Sequence, residues 1–142
     1  MKPETRLAVD LAIEQRAGSK RRKITGYAAL FNVETDIAGA FREKIAQGAF
    51  RQAISEDDIR ALINHNPERV LGRNKSGTLE LSEDAKGLRF EIDPPDTEGA
   101  RELVHLIDRG DVTGASFGFQ ARGEEWQHDS KPPLRTITDA SL

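Results

Sequence analysis

The stretch "GTLELSEDAKGLRFEID", Gly77–Asp93, carries the clearest structural signal in the chain. Leu88, Phe90 and Ile92 alternate with Arg89, Glu91 and Asp93, the period-two pattern of a strand with one buried face. "GTLEL" and "GLRFEID" flank the polar "SEDAK", so the two runs read as a hairpin. Upstream, "DIRALINH" predicts a strand with Ile59, Ala61, Ile63 and His65 on one face, ended by Asn66-Pro67. "IAQGAFRQAISE" switches to helical spacing through Phe50, Ala53 and Ile54, and "ITGYAALF", Ile24–Phe31, returns to strand. From Met1 to Arg16 the residues Leu7, Val9, Leu11 and Ile13 alternate with charged neighbours, which predicts one strand with one buried face, closed by a turn at Gly18–Lys20.

Downstream of the hairpin, "DPPDTEGARELVHLIDRG" predicts a capped helix. Asp96 or Thr97 supplies the N-cap, Ala100, Leu103, Val104 and Ile107 form one apolar stripe, and Gly110 closes the last turn. A strand over Val112–Ala121, a polar loop at "DSKPP" and a last strand from about Arg135 follow. The expectation is an α+β domain, mostly β: an antiparallel barrel of about seven strands flanked by two or three helices.

A chain of 142 residues is long enough for one domain with a substantial core, and its length gives no reason to propose two. Charged residues make up 32% and apolar ones 37%, a balance foreign to both disordered and membrane chains. The net charge of −3 argues against nucleic-acid binding, which draws on an excess of Lys and Arg. The basic run Lys20–Lys23 reads as a solvated approach to a strand or as a docking patch for an acidic partner. There is no cysteine, which excludes disulfides and thiolate chemistry, and no apolar stretch approaches the roughly 18 residues of a membrane span. These features predict a cytosolic protein that uses no cofactor.

Within "VTGASFGFQA" the alternation puts Phe117 and Phe119 on one face and Gly114, Ser116 and Gly118 on the other. Glycine weakens a strand unless something must come close, so the bare face predicts either a tightly packed neighbouring element or a substrate. A serine nucleophile needs a base. Of the three histidines, His105 belongs to the helix and His128 to the polar loop, whereas His65 closes a strand beside a loop, where catalytic groups are commonly held. A zinc site is disfavoured because no two histidines stand at ligand spacing. A carboxylate pair has no distinctive candidate among 24 acidic residues.

Taken together, "GYAALFN", "FREKIAQGAF", "LINHNPERVLGR", "SGTLEL", "GLRFEIDPPDT" and "ARELVHLIDRGDVTGASFGF" resemble the prohead proteases of tailed phages, the serine peptidases of capsid maturation. The pieces run in the family's order from Gly26 to Phe119, which makes residues 24–142 the family-matching core and residues 1–23 an N-terminal strand with a basic linker. The resemblance implies a fold similar to the herpesvirus assembly proteases, with His65 as general base and Ser116 as nucleophile. It implies acyl transfer in which Gly114 and Gly118 leave room for an extended substrate. It also implies an endopeptidase inside the assembling prohead, in the host cytoplasm, cleaving scaffold-like segments of the major capsid protein and itself, and able to form a homo-oligomer.

In the family the third active-site member and the oxyanion loop are expected on or after the strand that follows the serine. This predicts a C-terminally truncated or self-processed form whose third member is either Asp139, which otherwise reads as a turn or strand-edge residue, or a residue beyond Leu142. A catalytically incomplete assembly module that binds capsid or scaffold protein is the competing expectation, and a metal hydrolase is a third.

Overall fold

The structure is a computed structural model that describes residues 3–15, 17–18 and 21–142. The sequence readings at Met1, Arg16, Ser19 and Lys20 lie outside these residues. The described chain forms strands β1 (Glu4–Leu7), β2 (Val9–Gln15), β3 (Arg22–Leu30), β4 (Thr35–Ile37) and β5 (Phe41–Ile45), then helix α1 (Arg51–Glu56). β6 (Arg60–Leu62), β7 (Val70–Arg73), β8 (Leu79–Glu83) and β9 (Gly87–Ile92) precede helix α2 (Glu98–Arg109), and β10 (Ser116–Gln127) and β11 (Leu134–Ser141) complete it. The protein is mostly β with two α-helices, as its patterning predicts.

The predicted antiparallel barrel of about seven strands is not what forms. The strands divide among a five-stranded sheet, β1-β10-β11-β5-β4, a four-stranded sheet, β2-β3-β9-β8, and the β6-β7 pair. β5 and β11 run parallel, with Arg42 opposite Leu134 and Ile45 opposite Ile137. The two larger sheets meet where the chain passes from β1 to β2 and where Phe31 bridges Ile45. The N-terminal run therefore does not make the single strand its alternation suggests. The chain changes sheets at Ala8, β1 pairing with β10 and β2 with β3, and within β2 a left-handed Asp10 (φ 57°) and a bulge between Val9 and Ala12 break the alternation again. Leu11 and Ile13 pack against the core, whereas Leu7 is 80% exposed.

The hairpin that opened the sequence reading forms as expected. Leu79 faces Ile92, Leu81 faces Phe90 and Glu83 faces Leu88, and the alternating residues Leu88, Phe90 and Ile92 are buried. Its turn is closed by the Asp84 carboxylate, which accepts from the N–H groups of Lys86 (2.8 Å) and Gly87 (3.0 Å). A Cβ on Gly87 would lie 2.0 Å from the Ala29 carbonyl oxygen, so this glycine is required by close strand packing.

α2 is also capped as predicted. Thr97 Oγ1 accepts from Ala100 N at 3.3 Å, and Gly110, at φ 84°, donates its N–H to the Ile107 carbonyl. Burial of Ala100, Val104 and Ile107 fixes the helix on the core, where the two larger side chains contribute about 3–6 kcal/mol. The described part of the basic run is neutralised within the fold: Arg21 meets Asp93, Arg22 meets Asp108 and Lys23 meets Glu91.

Candidate active site

β10 carries the run of glycines and phenylalanines, and its core face holds it in place. Phe117 packs edge-to-face on the fully buried Phe50, with ring centroids 6.2 Å apart, and stacks on Phe119 at 5.5 Å. The predicted strand over Val112–Ala121 begins only at Ser116. The residues before it serve α2, whose Leu106 carbonyl accepts from both Asp111 N (2.9 Å) and Val112 N (3.1 Å). Ala8 N then donates to the Ala115 carbonyl at 2.8 Å, and β1 pairs with β10 from that point, Leu7 opposite Ser116 and Glu4 opposite Phe119.

In an antiparallel ladder bonded and non-bonded pairs alternate. Since Ala8 and Ala115 are bonded, Leu7 and Ser116 form a non-bonded pair, and the N–H and C=O groups of Ser116 and Gly118 aim away from β1. On that side the ladder with β11 starts only at Gln120, opposite Ser141. Ser116 and Gly118 thus present their backbone groups along an edge that no described strand covers.

The histidine is held differently from the prediction. β6 ends at Leu62, so His65 does not share a strand face with Ile59, Ala61 and Ile63. It stands in the tight β6–β7 connection, closed by Ile63 N to the Arg69 carbonyl (3.0 Å) and by Asn66, whose side-chain oxygen accepts from Glu68 N (3.0 Å). Asn64 and His65 both take left-handed conformations, φ 53° and 55°. Asn and His are the residue types that tolerate this region, but two in succession store strain of roughly 1–3 kcal/mol each, a mark of constrained functional positions.

This turn delivers His65 Nε2 to 2.6 Å from Ser116 Oγ, across a separation of 51 residues in sequence. The serine is half-buried and the imidazole exposed. Residues 9–142 match the family model of the caudovirus prohead serine proteases. The chain belongs to that family. No match was found among curated proteins or solved structures. The family is one of serine proteases, and its matched segment contains both His65 and Ser116 while leaving out β1.

The other residues singled out from sequence fall as follows in this member of the family. A Cβ on Gly114 would meet nothing within 4 Å, and one on Gly118 only the Glu4 carbonyl oxygen at 3.9 Å. Among the described residues, no element packs tightly on this bare face. Asp139 does not approach His65. Its carboxylate pairs with Arg122 at 3.2 Å, and it sits opposite Gly123, seven positions along β10 from Ser116, on the order of 20 Å away at the rise of a strand. Among the described residues, nothing accepts from His65 Nδ1. His105 is exposed on α2 and His128 stacks on Trp126, ring centroids 5.6 Å apart. No group of three ligating side chains converges among the described residues.

Sequence reasoning missed what anchors β1 beside the serine. Arg6 grips Glu43 with two bonds, 2.8 and 2.9 Å, and Arg135 bonds Glu4, Glu43 and Glu124. These five residues come from four strands spread along the sequence from Glu4 to Arg135, so no local pattern marks them. A hydrogen bond from Arg135 holds the Glu4 carboxyl below its usual range against the opposing effect of burial, with Arg6 assisting. Burial works against the Arg135 charge, but bonds to Glu4 and Glu124 outweigh it and raise its pKa. Every buried side-chain nitrogen and oxygen among the described residues has a partner.

A cavity of about 640 Å³ opens beside the His65–Ser116 pair. Leu7, Leu11, Ile63, Leu103 and Val112 line it together with Gly114 and Gly118. Asp58 and Arg60 are the other charged side chains on its wall.

Proposed function

We propose that this chain is a serine endopeptidase of phage capsid maturation in which Ser116 is the nucleophile and His65 the general base. The observation that carries this reading is the 2.6 Å contact between His65 Nε2 and Ser116 Oγ at the mouth of an open cavity, in a chain of this family. With Nε2 unprotonated, the Ser116 hydroxyl donates to it and passes its proton across as Oγ attacks a peptide carbonyl. The imidazolium returns that proton to the leaving amine. A water molecule, activated by the same nitrogen, then releases the acyl group and regenerates the serine.

The substrate lies extended along the open edge of β10. The backbone groups of Ser116 and Gly118 pair with it, and the absence of side chains at Gly114 and Gly118 gives it room. Scaffold-like segments of the major capsid protein, and the protease's own chain, are the substrates inside the assembling prohead in the host cytoplasm.

The competing reading, an assembly module that binds capsid or scaffold protein without cleaving it, draws on one observation: no described residue orients His65 through Nδ1. Co-expression with the capsid protein, followed by mass spectrometry of every terminus, separates the two. Trimmed termini that disappear in Ser116→Ala are the expected result. Trimming that continues unchanged in Ser116→Ala removes the serine from its role, and no trimming in either form favours the module.

A further inference from the structure

Among the described residues, Leu7 is the most exposed of the large hydrophobics, 80% against 50% for Val33. A solitary exposed leucine on a strand tip is ordinary and needs no explanation. Three observations set this one apart.

First, it is the residue directly opposite Ser116, in the non-bonded pair spacing that brings side chains closest, Cβ atoms about 4.5–5.5 Å apart. Its side chain therefore rises on the same face as the serine hydroxyl. Second, its backbone is fixed on both flanks. Arg6 is locked to Glu43 and Glu4 to Arg135, while Ala8 N–H bonds the Ala115 carbonyl. The backbone of a mostly exposed leucine is thus held in place, which lowers the entropic cost of using its side chain as a contact surface. Third, it belongs to the wall of the cavity that contains His65 and Ser116, and that wall continues into the half-buried aliphatic side chains of Leu11, Leu103 and Val112. The aliphatic part of this wall, next to the reacting groups, favours an aliphatic side chain of the substrate.

We infer that Leu7 is a specificity-determining residue, forming the apolar lip that contacts an aliphatic side chain of the substrate next to the scissile bond. The inference rests on the reading of Ser116 as nucleophile. Leu7 lies outside the segment that matches the family, residues 9–142.

The test uses two readouts on the purified wild-type, Leu7→Ser and Leu7→Met proteins. One is the rate of labelling by a small fluorophosphonate, which reports Ser116 and His65 alone. The other is cleavage of internally quenched peptides carrying Leu, Ala or Glu at each position around the scissile bond. Expected are equal labelling rates in all three proteins and, in Leu7→Ser, a loss of about tenfold in kcat/KM for Leu-bearing peptides, carried by KM, with Leu7→Met close to wild type. Normal labelling with an unchanged peptide preference overturns the role of Leu7 and leaves Ser116 standing. Labelling lost in Leu7→Ser shows a structural support and overturns it too. No labelling of the wild type removes the Ser116 reading, and this inference with it.

Discussion

The β1–β10 ladder has two ends that differ in almost every physical respect. At the Glu4–Phe119 end, two guanidinium groups and three carboxylates interlock, with Arg135 and Glu43 only 7% and 4% exposed. At the Leu7–Ser116 end, three residues away, the side chains face a cavity, glycines leave the surface bare, and His65 is held by its hydrogen bond with Ser116 and a strained turn. A nucleophile and base must keep a separation within a few tenths of an ångström while leaving space for a substrate. Here the tight end supplies the position and the open end supplies the space, so the two requirements fall on different residues of one strand pair.

The strongest way to break this contrast is at the open end. Ser116→Ala and His65→Ala are each expected to lower peptide cleavage by at least about 10⁴-fold while leaving the urea midpoint within about 0.5 kcal/mol of wild type. If either variant keeps more than a tenth of the activity, the pair is not the reacting centre. At the tight end the effects should exchange. Arg135→Ala leaves the buried Glu43 and the half-buried Glu4 with Arg6 alone and deprives Glu124 of its guanidinium partner, an expected destabilisation of about 3 kcal/mol in urea. A variant as stable as wild type would show that the cluster anchors nothing.

The sequence made these two ends unequally legible. The β8–β9 hairpin, the caps of α2 and the buried phenylalanine face of β10 are local patterns, set by neighbours within a few residues, and each formed where the alternation or the capping residue indicated. His65 and Ser116 were found as residue types, but the strand invoked to place the histidine stops at Leu62, because positive φ at Asn64 and His65 leaves no mark in a hydrophobic pattern. The departure from a closed barrel has a similar origin. The chain passes from one sheet to the other at Ala8, between β1 and β2, and the parallel pairing of β5 with β11 joins segments about ninety residues apart. The ion cluster is the extreme case, since its five members are ordinary charged residues until the fold collects them.

The glycines sharpen the comparison at smaller magnitude. A Cβ at Gly87 would strike a backbone oxygen at 2.0 Å, whereas one at Gly118 would rest 3.9 Å from the nearest atom. Gly87 is therefore occupied by its own protein, and Gly118 is open to another. Gly118→Val should keep the wild-type urea midpoint and reduce kcat/KM by about tenfold, since a branched side chain would stand where the substrate backbone approaches the edge. Lost stability would mean the face is packed, and unimpaired cleavage would mean the substrate lies elsewhere.

The smallest effect concerns the acid dependence of the tight end. Glu4 has its folded pKa depressed, first by the Arg135 hydrogen bond and further by Arg6. A carboxylate of this kind contributes stability that is present in full above the pKa of the unfolded chain, about 4.3, and is lost as pH falls through the lower folded value. Wild-type stability should therefore decline more steeply below about pH 5 than that of Glu4→Gln, which has no proton to take up at this position, and the two curves should converge at low pH. Other carboxylates with depressed values, such as Asp58 beside Arg73, titrate in both proteins and cancel in the difference. Urea midpoints measured between pH 3 and pH 7 test this directly. Parallel curves would show that the Glu4 charge is not coupled to folding, and β1 would then owe its place beside Ser116 to its backbone bonds and to the Arg6–Glu43 pair.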